Sequence, residues 1–367
     1  MAEPLRLPAA GALRADLLSG IAGRAGPADR GETTLRDDAE ALRAAGWLAA
    51  PLPAAEGGGG WGTQPGGAIA CLDALRALGR ASLPVARLFE GHVNAVKLVA
   101  LYADDVARRA AFDLVRGGAL LGVWGADAPD RPLGIVGGTR LAGAKRFASG
   151  LGVLSHAIVS VPGDGGPQLL LVPADDADRA DPAAWTAAGM RATASGLYDF
   201  EGLPVAREAW IGGPGDWFLE PHFEGGIWRY CAAHLGGAEA LYAAMRDALA
   251  ASGRAGDPHQ GARIARAAIA VETGRLWVRR AALAVEAGGA GPSSAALSLL
   301  AREAVQEGCR DVIRIVEEAL GTAAHMDGPV ERTCRDLALF LCQAAPDAKR
   351  ARAAAVLVDR AALPEDL

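Results

Sequence analysis

The stretches Lys145-Arg-Phe-Ala-Ser-Gly150 and Gly189-Met-Arg-Ala-Thr-Ala-Ser-Gly196 lie in a segment whose pattern differs from the rest of the chain. Between positions 117 and 196 the spacing of apolar residues shifts toward every second position, and glycine and proline interrupt it. This pattern is typical of short β-strands. On both sides, Ala, Leu and Arg are abundant and apolar residues recur at three- and four-residue spacing, as in α-helices. We therefore predict a β-rich centre between two helical regions.

Five strands are predicted in this centre, and the two quoted stretches are predicted to connect strands. Glycine and serine at a strand end remove side-chain bulk, so backbone N–H and C=O groups there can approach a planar polar ring. The predicted strands are 119–123, 133–136, 157–161, 168–172 and 197–200.

The predicted helices form one group before the centre and one group after it. The first group is 35–46, 68–79, 83–102 and 104–116; the second is 223–252, 258–287, 293–320, 328–343 and 347–363. Three long helices followed by shorter ones are typical of an antiparallel bundle. The predicted fold class is α+β, with an N-terminal helical domain (1–116), a central β-sandwich or barrel-like domain (117–213) and a C-terminal four-helix-type bundle (214–367).

Composition narrows the class of function. Hydrophobic residues make up 51% and charged residues 22%, as in a soluble globular protein, and the net charge of −6 argues against nucleic acid or an anionic membrane as partner. The chain has no apolar run of membrane-spanning length, so no membrane insertion is expected. Its five cysteines are scattered and the start does not resemble a signal peptide, which predicts a cytoplasmic protein. The histidine spacings predict no metal site.

Three motifs in order carry a resemblance to a known family. They are Leu121-Gly-Val-Trp-Gly-Ala-Asp127, the stretch 145–150, and the stretch 189–196 followed by Tyr198-Asp-Phe-Glu-Gly-Leu-Pro-Val205. With them the chain resembles the acyl-CoA dehydrogenase family over nearly its whole length. The resemblance implies an FAD-dependent oxidation of the CH–CH group of an acyl thioester, bound to CoA or a carrier protein. It further implies a homodimer or homotetramer and an electron acceptor that the sequence does not identify.

The resemblance also implies which residues contact the flavin. The first group surrounds the ring system: the backbone around Val123 and Trp124 faces the pyrimidine edge, Phe147 flanks the rings and the Ser149 hydroxyl lies near N5. Its members are Val123, Trp124, Phe147, Ala148 and Ser149. The second group, at the adenosine across a subunit interface, is Gln260 and Gly321. Trp124 and Phe147 have a simpler alternative, in which both are core aromatics.

The catalytic base of the family is missing from its usual place. Its commonest glutamate falls at Ala344, and Asp347 lies three residues further on, past a proline. A displacement by one helical turn would move a carboxylate by roughly 5 Å, which is too far for proton transfer without rearrangement. A second family position, immediately before an arginine, falls at Trp228. Glu224, one turn upstream, is the remaining candidate, with a solvated carboxylate at a helix start as the alternative.

The missing base leaves other functions open. A flavin-dependent monooxygenase on the same fold does not use that glutamate, and an accessory subunit would hold flavin or an acyl chain without turnover.

Polar residues inside two predicted helices need an explanation of their own. His92 and Asn94 either line a ligand cavity or form a hydrogen-bonded core pair. Glu331 and Arg335 have the four-residue spacing of a helical ion pair.

Overall fold

The computed structural model describes residues 14–342 and 345–360 and has the predicted order of helices, β-rich centre and helices. The helices before the centre are α1 Ala15–Asp29, α2 Arg36–Ala44, α3 Ala68–Ala81, α4 Leu83–Tyr102 and α5 Asp105–Arg116. Those after it are α6 Trp228–Ala251, α7 Pro258–Val285, α8 Ala295–Leu320, α9 Pro329–Phe340 and α10 Pro346–Arg360. Helix α1 is missing from the prediction because three glycines and Pro27 weaken its helical pattern.

The centre contains three small sheets. The strands are β1 Leu121–Trp124, β2 Gly134–Val136, β3 Arg140–Ala142, β4 Ala144–Ala148, β5 His156–Val161, β6 Gln168–Pro173, β7 Ala180–Asp181, β8 Gly196–Asp199 and β9 Trp210–Ile211. The sheet orders are β1-β5-β6-β9, β2-β3 and β4-β8-β7, and only β1 and β5 pair in parallel.

The stretch 145–150, predicted as a connection, is mostly strand. Residues 144–148 form β4, whose ladder with β8 shifts register between Arg146 and Ala148. The prediction was wrong because a β-bulge, which adds one residue to a strand, breaks the two-residue alternation that identifies a strand.

Helix α4 joins the first helical part to the sheet. Ser82 caps its first turn by accepting the Val85 N–H, and most of its length is buried. His92 fixes it in place: Nε2–H donates to the Leu48 carbonyl at 2.7 Å, and Nδ1 accepts the Leu121 N–H at 3.1 Å. Burial lowers the pKa of His92 to about 4, so the ring is neutral, as this bonding requires. His92 is therefore a core residue, but its hydrogen-bond partners are Leu48 and Leu121 rather than Asn94.

In the second helical part, α6 packs against α7 and α8 as well as against α3. Arg254, just before α7, donates to the carbonyl of Ala319 near the end of α8, so α7 and α8 run antiparallel.

Within residues 14–342 and 345–360, no helix is long and apolar enough to cross a membrane. In the same residues, no cluster of His, Cys, Asp and Glu is suited to a metal ion.

Candidate functional site

A large cavity of about 590 Å³ lies where α4, β4, the segment before β8 and α9 meet. This volume is in the range of small-molecule sites. The cavity walls combine aromatic rings with hydroxyl groups. They are formed by Arg87, Phe147, Ser149, Trp185, Ala187, Met190, Thr193, Ser195, Leu339, Phe340 and Cys342.

Phe147 reaches this cavity because of the bulge in β4. Its φ of 55° is in the left-handed region, which a non-glycine residue rarely adopts. The bulge turns the ring out of the sheet, so 53% of the residue is exposed. The ring meets Trp185 edge-on at 6.2 Å between centroids. Phe147 is therefore not a core aromatic, whereas its neighbour Ala148 is fully buried.

A row of hydroxyl groups extends from the cavity wall to a backbone carbonyl. Ser149 Oγ lies 2.7 Å from Ser195 Oγ, which lies 2.7 Å from Thr193 Oγ1. Thr193 donates its only hydroxyl proton to the Met190 carbonyl at 2.7 Å. Ser195 must then donate to Thr193, and Ser149 to Ser195, since each hydroxyl has one proton. Ser149 thus faces the cavity as a hydrogen-bond acceptor.

Helix α9 holds the segment that carries this row. Asp336 accepts the Met190 N–H at 2.6 Å, and Arg335 donates to the Ala188 carbonyl at 2.7 Å. A Cβ on Gly189 would lie 2.4 Å from the carbonyl oxygen of Arg335, and one on Gly196 would lie 2.0 Å from that of Asp181. Small residues do bring backbone close here, but at these two glycines the partner is the protein's own backbone.

The predicted ion pair of α9 is confirmed and extends further than expected. Arg335 Nε lies 2.8 Å from Glu331, and its two terminal nitrogens bind Asp29 of α1 at 2.7 and 3.2 Å. Arg335 therefore ties together α1, α9 and the cavity wall.

Asp336 gives a testable pH dependence. Its pKa is raised to about 6, chiefly by burial, so the folded protein keeps this proton at pH values where the unfolded chain has released it. The contribution of Asp336 to the free energy of unfolding should therefore fall as pH rises from about 4 to about 6. We expect the difference in free energy of unfolding between wild type and Asp336→Asn to fall by about 1–3 kcal/mol over this range, as measured by urea unfolding.

Asp311→Asn is the matched control, because Asp311 is exposed and paired with Arg314 on the surface. It should retain the wild-type slope. An unchanged slope in Asp336→Asn would assign the fall to other groups.

A narrow gap of about 10 Å³ continues from the large cavity along α4 and β1. Ser149 and Arg87 line both, and Val123 and Trp124 line the gap. The Trp124 side chain is buried against Tyr198, and its indole N–H donates to the Ser149 carbonyl at 3.1 Å. Its side chain is thus a core aromatic, and a role for its backbone stays a prediction.

Beyond Val123 lies a second, polar cavity of about 160 Å³. Helix α4 contributes Glu90, Asn94 and Lys97 to its wall, and the start of α6 contributes Arg229 and Tyr230. Asn94 therefore lines a cavity, as the interpretation of a ligand cavity expected. The remaining lining residues are Leu98, Leu101, Val123, Trp217, His222, Phe223, Gly226 and Ile227.

Buried charges next to the polar cavity are organised around Glu286, at the end of α7. Lys97 donates to its Oε2 at 2.6 Å, and Arg229 donates to its Oε1 at 2.9 Å. The indole N–H of Trp228 also donates to Oε1, at 3.3 Å. Burial lowers the pKa of Lys97, and the negative charge of Glu286 offsets part of this lowering. Burial also lowers the pKa of His222.

A second ion pair joins this cluster to the large cavity. Arg87 binds Glu90, which also accepts from the amide of Asn94, and Asn94 in turn accepts from Arg229 Nε at 2.6 Å. In the part of the chain that the structure describes, two carboxylates line the polar cavity or bind its cations, those of Glu90 and Glu286. Both accept hydrogen bonds from cationic or amide groups. The oxygens of Glu90 and Glu286 are thus already engaged by donors of the protein itself.

The candidate bases lie away from these cavities. Glu224 accepts a two-pronged bond from Arg352, with 2.7 Å between Nε and Oε2, which favours a structural role. Asp347 is exposed and lies 3.2 Å from Arg350. Ala344 is outside the described residues, so its place stays a prediction.

Gln260 and Gly321 lie at the same end of the α7–α8 pair, at the start of one helix and just after the other. The salt bridge of Arg263 with Glu318, at 3.8 Å, joins these ends. The Gln260 side-chain oxygen is buried and has no partner in residues 14–342 and 345–360. Neither residue lines the large cavity of its own subunit, so the adenosine role stays a prediction.

The sequence prediction missed Lys97, Glu286 and Ser195 as site residues. Lys97 had one detectable signal: it lies on the same helical face as Glu90 and Asn94, at steps of four and then three residues. Glu286 has no such signal, because it meets Lys97 from 189 residues away along the chain.

No protein-family model and no curated protein sequence matches the chain. Solved structures match over nearly its whole length. The dibenzothiophene monooxygenase TdsC from Paenibacillus sp. A11-2, solved with FMN and indole, has a TM-score of 0.79 at 20% identity, covering 94% of this chain and 96% of that one.

Two further solved structures give the same result. The methanesulfinate monooxygenase MsuC from Pseudomonas fluorescens has a TM-score of 0.79 at 21% identity, covering 95% and 96%. The 3-HSA hydroxylase from Rhodococcus sp. RHA1 has a TM-score of 0.74 at 21% identity, covering 95% and 96%. At this identity the likeness concerns the fold. The chain therefore has the α+β fold of acyl-CoA dehydrogenase type that these enzymes share.

Proposed function

We propose that the protein is a flavin-dependent monooxygenase that takes up reduced flavin in the large cavity. Three enzymes with its fold, TdsC, MsuC and the 3-HSA hydroxylase, are named as monooxygenases or a hydroxylase, and TdsC was solved with FMN. The acceptor hydroxyl of Ser149 is the observation in this chain that carries the proposal.

The large cavity fits a flavin ring system. Phe147 offers an exposed aromatic face at a strained backbone position, and such strain persists where the surrounding structure enforces it, commonly at functional sites. Ser149 places a hydroxyl on the same wall. Phe147 would flank the flavin rings, and Ser149 would meet their central edge.

Ser149 distinguishes the two redox states of a flavin. N5 of an oxidised flavin is a hydrogen-bond acceptor, whereas N5–H of a reduced flavin is a donor. Because Ser195 takes the proton of Ser149, the Ser149 oxygen can accept from N5–H but cannot donate to bare N5. The hydroxyl row therefore favours the reduced cofactor.

The charge distribution supports oxygenation over thioester dehydrogenation. Dehydrogenation needs a free base for the α-proton, while Glu90 and Glu286 are both occupied by donors. When bound, reduced flavin would activate dioxygen, so that one oxygen atom enters the substrate and the other leaves as water. The residues of this chain would orient the substrate and exclude bulk water from the cavities.

Reduced flavin must come from elsewhere, so a reductase partner is part of the proposal. The cofactor could be FMN or the FAD that the sequence resemblance implies. A homo-oligomer is also part of the proposal, and in it Gln260 and Gly321 of one subunit would contact the adenosine of an FAD bound to the other.

The test compares binding of reduced and oxidised flavin under anaerobic conditions, by quenching of tryptophan fluorescence. We expect reduced FMN or FAD to bind at least about tenfold more tightly, a difference of about 1.4 kcal/mol. Ser195→Ala should abolish this preference, because it returns the proton of Ser149 to the cavity. Ser252→Ala, at the exposed end of α6, should leave the preference unchanged.

Other outcomes would change the proposal. If wild type and Ser195→Ala preferred reduced flavin to the same degree, the hydroxyl row would not be the cause of that preference. Bleaching of an oxidised, flavin-loaded protein by an acyl thioester would establish a dehydrogenase instead. Failure to bind either flavin in either redox state would overturn the proposed function.

A further inference from the structure

We propose that the polar cavity binds the anionic group of the substrate, a small molecule with a carboxylate, sulfinate or sulfonate on a compact apolar body. The identity of this ligand as the substrate rests on the proposed function, but its binding does not require flavin.

The first argument is charge. Arg87 and Glu90 neutralise each other, whereas Lys97 and Arg229 share the single carboxylate of Glu286. The triad is buried, with side-chain exposures of 6% for Lys97, 4% for Arg229 and 1% for Glu286. With Lys97 protonated, the triad therefore carries one positive charge more than Glu286 compensates, beside a cavity. Burying such a charge is costly unless an anion neutralises it.

The second argument is the number of unused donors. Lys97 has three N–H groups and gives one to Glu286, and Arg229 uses Nε and one terminal nitrogen. The Nδ1 atom of His222 is buried and has no hydrogen-bond partner in the described part of the chain. Lys97, Arg229 and His222 all line the same cavity. Such a set suits a group with several acceptor oxygens and little bulk.

The third argument is the part of the cavity wall that is apolar. It is formed by Leu98, Leu101, Trp217, Phe223 and Ile227. A volume of about 160 Å³ admits a small ring or a short chain beside the anionic group. A plain hydrocarbon acyl chain would leave the charges and donors without partners, so this wall and the triad together favour an amphiphilic anion.

The position of the cavity relates this site to the chemistry. Val123 separates the polar cavity from the gap that contains Ser149 and Arg87. A ligand held at Lys97 and Arg229 would therefore lie next to the wall that Val123 shares with this gap.

The test uses the purified protein without flavin and three probes of similar size, benzoate, benzenesulfinate and neutral benzyl alcohol, in calorimetric titrations. We expect at least one anion to bind about tenfold or more tightly than benzyl alcohol, and the better of the two identifies the preferred oxyanion. Lys97→Met should abolish this preference. Arg314→Met, which removes a paired cation on the exposed face of α8, should retain it.

A second variant keeps the test decisive if Lys97→Met does not fold. His222→Phe removes the unpartnered ring nitrogen and should reduce the preference for the anion about three- to tenfold. Equal affinity of wild type for the anions and benzyl alcohol, or full preference in a folded Lys97→Met, would overturn the proposal. Anion binding without flavin binding would retain this site and reject the proposed function, and flavin binding without anion binding would do the reverse.

Discussion

Glu286→Gln is expected to lower the free energy of unfolding by about 3–5 kcal/mol, because it leaves buried Lys97 and Arg229 without a compensating charge. Glutamine keeps the size of the side chain and can accept hydrogen bonds, so the loss reports the charge. Urea unfolding at pH 7 measures it. The loss should be larger at pH 6 than at pH 9, because Lys97, whose pKa burial already lowers, releases its proton more readily at high pH.

Glu272→Gln is the matched control on the same helix. Glu272 is exposed and paired with Arg275, so this change should alter stability by less than about 0.5 kcal/mol. Adding Lys97→Met to Glu286→Gln should recover part of the loss, since it removes one of the two stranded cations. A loss in Glu286→Gln no greater than in Glu272→Gln would show that the buried triad does not depend on this carboxylate.

Gly236→Ala is expected to cost about 2–3 kcal/mol, because α3 and α6 cross with their backbones in contact at this point. A Cβ at position 236 would lie 2.2 Å from the carbonyl oxygen of Arg76 and 2.9 Å from the Cα of Gly79. A Cβ on Gly79 would likewise lie 2.2 Å from the carbonyl oxygen of Ala233. The helices must therefore separate to admit one methyl group, and thermal or urea unfolding should show the loss.

The neighbouring Gly237→Ala is the control for this prediction. Its Cβ would meet only the Leu83 side chain, at 3.1 Å, which can turn aside, so we expect a loss below about 1 kcal/mol. Since α6 also carries Arg229 and Tyr230, Gly236→Ala should weaken anion binding in the polar cavity, whereas Gly237→Ala should not. Equal stability of the two variants would argue against the close helix crossing.

The proposed chemistry follows from how the fold uses its charges. A fold of acyl-CoA dehydrogenase type provides a cavity for a flavin, but the reaction depends on whether a free carboxylate faces the substrate. In this chain the carboxylates of Glu90 and Glu286 serve the cations Arg87, Lys97 and Arg229. The polar cavity is thus arranged to hold an anion rather than to remove a proton from carbon.

The architecture was largely predictable because it depends on local patterns. The predicted helix 83–102 coincides with α4, and the five predicted strands each overlap an observed strand within two residues. Errors occurred where the pattern is locally broken. The bulge at Phe147 concealed β4, and the glycines of α1 concealed that helix.

The sequence by itself determined the order of helices and strands and the fold class. These depend on residue spacing along one segment, which side-chain period and backbone propensity control. Phe147 and Ser149 became candidates because their motif resembles one of the acyl-CoA dehydrogenase family. Only the tertiary structure decided that Ser149 is an acceptor, that Glu224 binds Arg352, and that Glu286 meets Lys97 and Arg229. Proton direction and charge balance depend on partners from distant segments, which meet only when the helices and sheets pack together.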